Sequence, residues 1–333
     1  MKKIVDDERL IYKVCCLYYQ DDMNQKEVGD YLGISRSSVL RILRKGKEMG
    51  IVTIELHNPR FYDYGDMEKT LERVYGLKDV VIVENSVLDT RQEASSYMFG
   101  KAADYLHSFF KEGDRVGVAM GQTLNNVVST NKVYERFNDL LFVALEGGIS
   151  QITVGGTDIQ GNELARKYAE KFGGTYSQFL SPAVFSDRKV LEYFMEEKAV
   201  NYILEDFKKL NVVVAGIGVP DRVEHTLDKA GYISARERRS LVDHGAVGDM
   251  CLQFYDKNGE TDGFGFFNDR VAAMRLEDIR RIPSKIGIAG GKRKAEAVIG
   301  AIRGGYINIL ITDNECAKRL IELAEKPAEE ETV

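Results

Sequence analysis

Residues 24–50 read NQKEVGDYLGISRSSVLRILRKGKEMG, and the way this stretch folds decides what the N-terminal part of the chain is. Asn24 followed by Glu27 is the pattern of a helix cap with a returning carboxylate, and it opens a helix predicted to run to Leu32. Gly33-Ile34 is a tight break. Ser35 then caps a third helix that runs to about Met49 and is stopped by Gly50. Upstream, Leu10, Ile11, Val14, Leu17 and Tyr18 recur at helical spacing over roughly residues 6–20. Downstream, Ile51–Leu56 alternates like a short strand, either a hairpin wing or the exit into the next domain. Three helices with this turn between the second and third spell a helix-turn-helix.

The third helix carries the chemistry. At 3.6 residues per turn, Val39, Ile42 and Leu43 form one stripe with the small Gly46 among them. Ser37, Arg41, Arg44 and Lys45 fall on the other face, and Arg36 stands in the first turn, where a recognition helix meets the major groove. Arginine pairs bidentately with guanine or with phosphate, and serine satisfies either partner. Gln25, Arg36, Ser37, Ser38, Arg41, Arg44 and Lys45 are therefore the candidate contacts to double-stranded DNA. A basic helix face is ordinarily only solvated surface; the order helix, helix, Gly-Ile turn, Ser-capped basic helix is what lifts this one above that reading.

Charge distribution agrees with a modular DNA binder better than net charge does. The whole chain of 333 residues is at −6, yet residues 1–60 hold 11 Lys/Arg against 9 Asp/Glu and the remainder 35 against 43. Between Arg36 and Lys47 there is no acid at all. Hydrophobic content of 44% with 29% charged residues is that of a soluble globular protein. No apolar run approaches the ~20 residues that span a bilayer, and MKKIVDDERLIYK turns acidic before any apolar core, against a secretory signal. The expected location is the cytoplasm. Four scattered cysteines and four dispersed histidines form no metal-binding pattern, so no metal and no cofactor is expected.

Beyond Asn58-Pro59-Arg60, an amphipathic helix around 65–76 links to the strand Val80–Val83 and serves as a connector or an oligomerisation element. Strands then alternate with helices. Apolar strands are predicted at Arg115–Ala119, Leu141–Leu145, Val212–Ala215, Ile286–Ala289 and Ile307–Thr312. Helices are predicted at 91–110, 123–136, 161–172, 187–206, 293–303 and 314–324. The pattern predicts an α/β fold, a Rossmann-like and mainly parallel sheet covered on both faces. The expected domains are 1–57, helix-turn-helix, and 58–325, ligand-binding, with a disordered tail at 326–333. Several strands end in glycine turns: Met120-Gly121-Gln122-Thr123, Glu146-Gly147-Gly148, Gly216-Ile217-Gly218 and Gly290-Gly291-Lys292. Ligands of open α/β sheets sit at these carboxyl ends, and glycine lets backbone N–H groups approach an anion. Gly290-Gly291 with Lys292 and Lys294 is the best phosphate cradle, and Thr123 adds a hydroxyl from a neighbouring loop.

The motifs NQKEVGDYLGISRSSVLRILRKGKEMGIV, LERVYGLKDVVIV, GVAMGQTL, LEGG, AGIG, GAVGDMCLQFYDKNG and SKIGIAGGKRKAEAVIGAIRGGYINILITD follow one another in this order. In them the chain resembles, over nearly its whole length, the SorC/DeoR-type sugar-binding transcriptional regulators. The resemblance implies an effector domain similar in fold to sugar-phosphate isomerases and deaminases such as glucosamine-6-phosphate deaminase. It also implies homodimers or homotetramers on operator DNA, modulated by a sugar or sugar phosphate. By the same resemblance Gly121, Gln122, Thr123, Gly147, Gly148 and Asp158 lie near the ligand. Asp249 faces sugar hydroxyls, and Gly290, Gly291, Lys292 and Lys294 face the phosphate. Asp158 and Asp249 are also plausible as a helix cap and a turn residue, and Thr312-Asp313-Asn314-Glu315 reads first as a capping box. Met120 and Gln122 depart from the family's usual residues around Gly121, so the resemblance does not carry the identity of the effector. The function expected is regulation of carbohydrate catabolism, as a repressor released by effector. The rival is a sugar-phosphate isomerase or deaminase with an appendage. It needs a positioned acid/base pair, for which His244 with Asp243 and Asp249 with Asp262 are the nearest candidates; no catalytic constellation stands out.

Overall fold

A computed structural model of the chain describes residues 7–53, 64–84, 91–148, 153–154, 157–220, 227 and 231–325. The chain divides into two compact units, Met1–Asp63 and Tyr64–Val333. The expected boundary at 57/58, the second half of the Ile51–Leu56 strand and the 326–333 tail lie outside the described residues.

The first unit holds α1 (Glu8–Tyr19), α2 (Gln25–Leu32) and α3 (Arg36–Glu48). α2 and α3 are started by the residues their sequence nominates, and α1 by Asp7. Asp7 accepts from Arg9 N and Leu10 N, Asn24 and Glu27 form a reciprocal capping box, and Ser35 accepts from Ser38 N. Gly33 ends α2 in the left-handed region at φ 66°. Ile11, Val14, Cys15, Val28, Val39, Ile42 and Leu43 close into one buried cluster. α1 and α3 touch through Gly46, where a Cβ would stand 2.5 Å from Cys15 Sγ. Ile51–Thr53 carry no strand.

The second unit begins with α4 (Gly65–Tyr75) and β1 (Asp79–Val83). α5 (Arg91–Phe109), β2 (Arg115–Val118), α6 (Gln122–Val128) and β3 (Phe137–Ala144) follow. After a small hairpin of β4 (Thr153–Val154) and β5 (Thr157–Asp158) come α7 (Gly161–Phe172) and β6 (Gly173–Ser177). The chain returns through α8 (Arg188–Met195), α9 (Asn201–Lys209) and β7 (Val212–Gly216). Then come α10 (Ala235–Asp243), a second hairpin of β8 (Gly248–Met250) and β9 (Gln253–Tyr255), β10 (Ser284–Ile288), α11 (Ala295–Arg303), β11 (Ile309–Asp313) and α12 (Asn314–Glu325). Seven strands make one sheet in the order β1-β11-β10-β7-β2-β3-β6, every pairing parallel. Its central strands are apolar on both faces because helices cover both. The sheet winds outward through β2, β3 and β6, then restarts at β7 on the other side of β2. The order reverses between β2 and β7, and loops after adjacent strands diverge there to leave room for a ligand.

Three expected elements differ. The 123–136 helix stops at Val128, because Thr130 Oγ1 turns back onto Val127 O at 3.1 Å and Lys171 Nζ takes the carbonyls of Thr130 and Lys132. The 187–206 helix is two helices, parted by a 3-10 turn over Lys198–Val200. The cap before α12 is Asp313 and not Thr312: Asp313 Oδ1 accepts from Cys316 N at 2.8 Å, while the Thr312 hydroxyl is buried in strand β11. α4 belongs to the α/β unit and closes its edge. Glu68 Oε1 accepts Ile82 N–H at 2.8 Å, Glu72 Oε1 accepts Val80 N–H at 3.3 Å, and Tyr75 donates to Leu320 O at 2.7 Å.

Candidate DNA-reading helix and effector site

On α3 the apolar stripe is turned into the unit's core, which leaves Arg36, Ser37, Arg41 and Arg44 exposed and Ser38 and Lys45 half-buried. The Ser35 hydroxyl lies 2.9 Å from both Ser37 Oγ and Ser38 Oγ, so these hydroxyls form one cluster at the helix start. Arg36 Nε donates to Gln25 Oε1 at 3.3 Å, tying the first residue of α3 to the first of α2. Lys45 pairs with Glu48 at 3.3 Å. Such an exposed pair contributes little to stability and leaves the lysine able to change partner. The seven nominated residues thus share the outer surface of α3 and the start of α2.

In the α/β unit, the loops after β2, β7 and β10 come together across the reversal. A Cβ at Gly216 would lie 3.7 Å from Thr123 Cβ, which puts Thr123 at the end of β7. Asp249 is buried against Gly218: their backbones pair, Gly218 N donating to Asp249 O at 2.9 Å, and a Cβ at Gly218 would fall 1.9 Å from Asp249 Oδ1. Lys294 Nζ donates to Ile217 O, joining the β10 loop to the same place. Gly121 caps α6 at φ 133°, and Gln122 Nε2 donates to Asn126 Oδ1 at 2.7 Å.

The Gly290-Gly291 cradle is occupied from within. Gly291 N donates to Asp313 Oδ2 at 2.7 Å, so a carboxylate of the protein sits where an anion would. Lys292 is exposed. Gly147 and Gly148 are buried in packing: Gly147 against the Ser181 and Pro182 carbonyls, Gly148 against the Gln160 side chain. Asp158 is half-buried and accepts Gln160 N–H at 2.9 Å, ahead of α7.

Sequence reasoning passed over Glu146, the residue between Leu145 and Gly147. It is 1% exposed. Its Oε2 accepts Met120 N–H at 3.1 Å, and its Oε1 has no hydrogen-bond partner of ordinary geometry among the described residues. Burial pushes its carboxyl up to about 8, and the Asp249 charge acts in the same direction. The Cys251 thiol lies beside it and is pushed well up, first by burial and then by Glu146. Cys251 and Leu252 turn the β8–β9 hairpin with φ of 51° and 63°. Two consecutive left-handed non-glycine residues cost of order 1–2 kcal/mol each. Buried amides hold the hairpin in that form: Asn268 exchanges bonds with Phe254, and Gln253 Nε2 donates to Met274 O at 2.9 Å.

The candidate acid/base residues of the enzymatic rival stand in different settings. His244 ends α10 with Nδ1 2.6 Å from Ser240 O and its ring against Phe266, while Asp249 is buried and Asp262 exposed. No metal-holding group occurs among the described residues. A separate cavity of about 970 Å³ lies between α8, α9 and residues 269–282, the last of these passing the end of β3 where Ala273 bridges Glu146. Its floor is apolar and its rim charges pair with one another, Arg188 with Glu192 and Arg281 with Asp278.

A three-helix unit with a basic third helix, followed by a parallel α/β unit whose loops meet at a strand-order reversal, defines the class of ligand-responsive transcriptional regulators. The chain belongs to the sugar-binding domain family, which it matches over residues 60–322. It is 31% identical over 319 residues to the deoxyribonucleoside regulator of Bacillus subtilis (strain 168), covering 95% of this chain and 98% of that one. It is 28% identical over 330 residues to the sorbitol operon regulator of Klebsiella pneumoniae, covering 95% and 99%. The crystal structure of the full-length sorbitol operon regulator SorC from Klebsiella pneumoniae superposes with a TM-score of 0.70, covering 95% of this chain and 99% of that chain. Among the described residues no helix is long and apolar enough to cross a membrane.

Proposed function

We propose that the chain is a cytoplasmic repressor of carbohydrate catabolism that leaves its operator when a sugar or sugar phosphate binds. The observation that carries this reading is the convergence of Thr123, Gly216–Gly218, Asp249 and Lys294 at the β2/β7 reversal, in a chain whose other unit presents a Ser-capped basic helix. Arg36, Ser37, Arg41 and Arg44 enter the major groove, with Gln25, Ser38 and Lys45 supporting phosphate contacts. Asp249 takes effector hydroxyls. Lys294 and Gly291 take the phosphate, exchanging Ile217 O and Asp313 for it, so that the ligand rearranges bonds the free protein makes with itself.

A ligand shifts a two-state protein only as far as it prefers one state. Here that preference lies in the exchange of Asp313 and Ile217 for a phosphate, which pulls the β10 loop inward. In a homodimer or homotetramer this alters the separation of paired α3 helices, which must match half-sites about 34–36 Å apart or a multiple of it. The test is anisotropy with DNA from upstream of the gene at two salt concentrations. D-sorbitol, D-sorbitol 6-phosphate, 2-deoxyribose and 2-deoxyribose 5-phosphate are added in turn. Tight, salt-sensitive binding weakened by one of them is the expected result; specific binding that no sugar or sugar phosphate alters would sink the effector half of the reading.

A further inference from the structure

Glu146 is touched by three separate parts of the effector site. The β2 loop reaches it through Met120 N–H, one residue before Gly121. The start of α7 abuts it so closely that a Cβ at Gly161 would lie 3.0 Å from Oε2. The β8–β9 hairpin presents the Cys251 thiol and the Asp249 carboxylate to it. Its own backbone bridges Ala273 in antiparallel fashion, fixing where the side chain starts. One carboxyl oxygen is satisfied by this arrangement, and the other, fully buried, is left without a partner among the described residues.

We propose, on the effector reading given above, that Glu146 is a positioning residue of that site: as a neutral acid it clasps the Gly121 loop and the start of α7 to the Asp249 hairpin, so that closing these loops takes up a proton. The geometry favours the neutral form. An ionised Oε1 would hold charge in a buried place where, among the described residues, the side-chain donor beside the carboxyl is the weak S–H of Cys251 and the charge that acts on it is Asp249, of its own sign. The β2 loop and α7 bring a peptide N–H and a glycine, neither of which titrates.

Burial holds the acid near 8 while the loops are shut. Once they part and water reaches Oε1, it returns to the ordinary glutamate range, about 4.3. Because the closed form has the raised value, closure is strongest in acid and weakens as pH climbs to about 8, after which this group adds no further change. Between the two values each pH unit raises the opening equilibrium about tenfold, flattening as the upper one is reached, so about 50-fold from pH 6 to pH 8.

Hydrogen exchange of the full chain at pH 6, 7 and 8, corrected for intrinsic rates, reads this directly. In the wild type, protection of peptides covering Met120–Thr123 and Asp249–Gln253 should fall about 50-fold while that of β10 and β11 stays level. In E146Q, whose amide oxygen still accepts Met120 N–H, protection of the same peptides should be independent of pH. A level wild-type profile overturns the proposal without any variant, and so does an E146Q profile that tracks the wild type. D-sorbitol 6-phosphate and 2-deoxyribose 5-phosphate are added in a separate arm. If neither slows exchange in these peptides while the proton profile holds, the clasp stands and the placement of the effector is what fails.

Discussion

Adding one methyl group at Gly46 asks whether the DNA-reading unit depends on the close approach of α1 and α3. The new Cβ would stand 2.5 Å from Cys15 Sγ and 3.3 Å from Ile11 Cγ2, and both neighbours are buried, so neither can swing into solvent. Overpacking of this kind costs about 1–3 kcal/mol. Alanine inside a helix returns about 1 kcal/mol relative to glycine. Gly46→Ala alone should therefore lose up to about 2 kcal/mol, which is about 30-fold in the opening equilibrium of the unit. Cys15→Ala alone should lose about 1 kcal/mol through the space it leaves. Together they fit, since the methyl occupies the room the sulfur vacates, and the double variant should be at least as stable as Cys15→Ala. The coupling energy should be about 1–3 kcal/mol, in the range measured for touching residues. Hydrogen exchange of the Val39–Leu43 amides follows this unit separately from the larger one, which matters in a chain without tryptophan. Strictly additive losses would refute the reasoning, because they would mean that the 2.5 Å approach relaxes without involving Cys15.

Arg41→Ala should weaken operator binding and, where Arg41 meets a phosphate, reduce the slope of log K against log salt by about 1, with exchange across residues 64–325 unchanged. Gly218→Ala should cost about 1–3 kcal/mol locally, because its Cβ would meet Asp249 Oδ1 at 1.9 Å. Exchange in residues 249–253 should rise, whereas Gly216→Ala, which meets Thr123 at 3.7 Å, should be mild by the same measurement. Glu68→Ala should cost about 1–2 kcal/mol by leaving Ile82 N–H without its acceptor, and Glu68→Gln should recover most of that in urea unfolding.

The parts of this fold that were plain in the sequence are those where one physical requirement dominates. Strands buried on both faces must be apolar throughout, so Val212–Gly216 and Ile309–Asp313 announce themselves to within a residue or two. The capping residues Asn24 and Ser35 are nearly unambiguous because a helix start has orphan N–H groups to satisfy. β6, reading GGTYS, escaped notice: an edge strand with two leading glycines has neither alternation nor β-branched density. The β8–β9 hairpin was hidden for the opposite reason, since Cys251-Leu252 is not a turn sequence and is held left-handed by tertiary bonds from Asn268 and Gln253. Glu146 was masked by its neighbours, the glycines after it drawing the attention that an acid ending the apolar run FVAL should have drawn. The nominated loops do converge, but nothing in the sequence shows that Asp313 occupies the Gly291 N–H, because the two are 22 residues apart and meet only when β10 and β11 pair.

The two glutamates of α4 that accept N–H groups of β1 have a bearing on how this molecule can be taken apart. An outermost strand with free amides is a template for a strand of another molecule, and proteins guard against that with charge or cover. Here the guard is a helix that precedes the sheet in the chain and resembles, in sequence, a mere connector. A fragment starting at Leu77 would retain the whole seven-stranded sheet and still expose two adhesive positions, Val80 and Ile82, on a strand reading VVIV. Such a fragment should gather into oligomers and fibres, while one starting at Tyr64 stays dispersed, so the safe cut between reader and sensor falls before the helix.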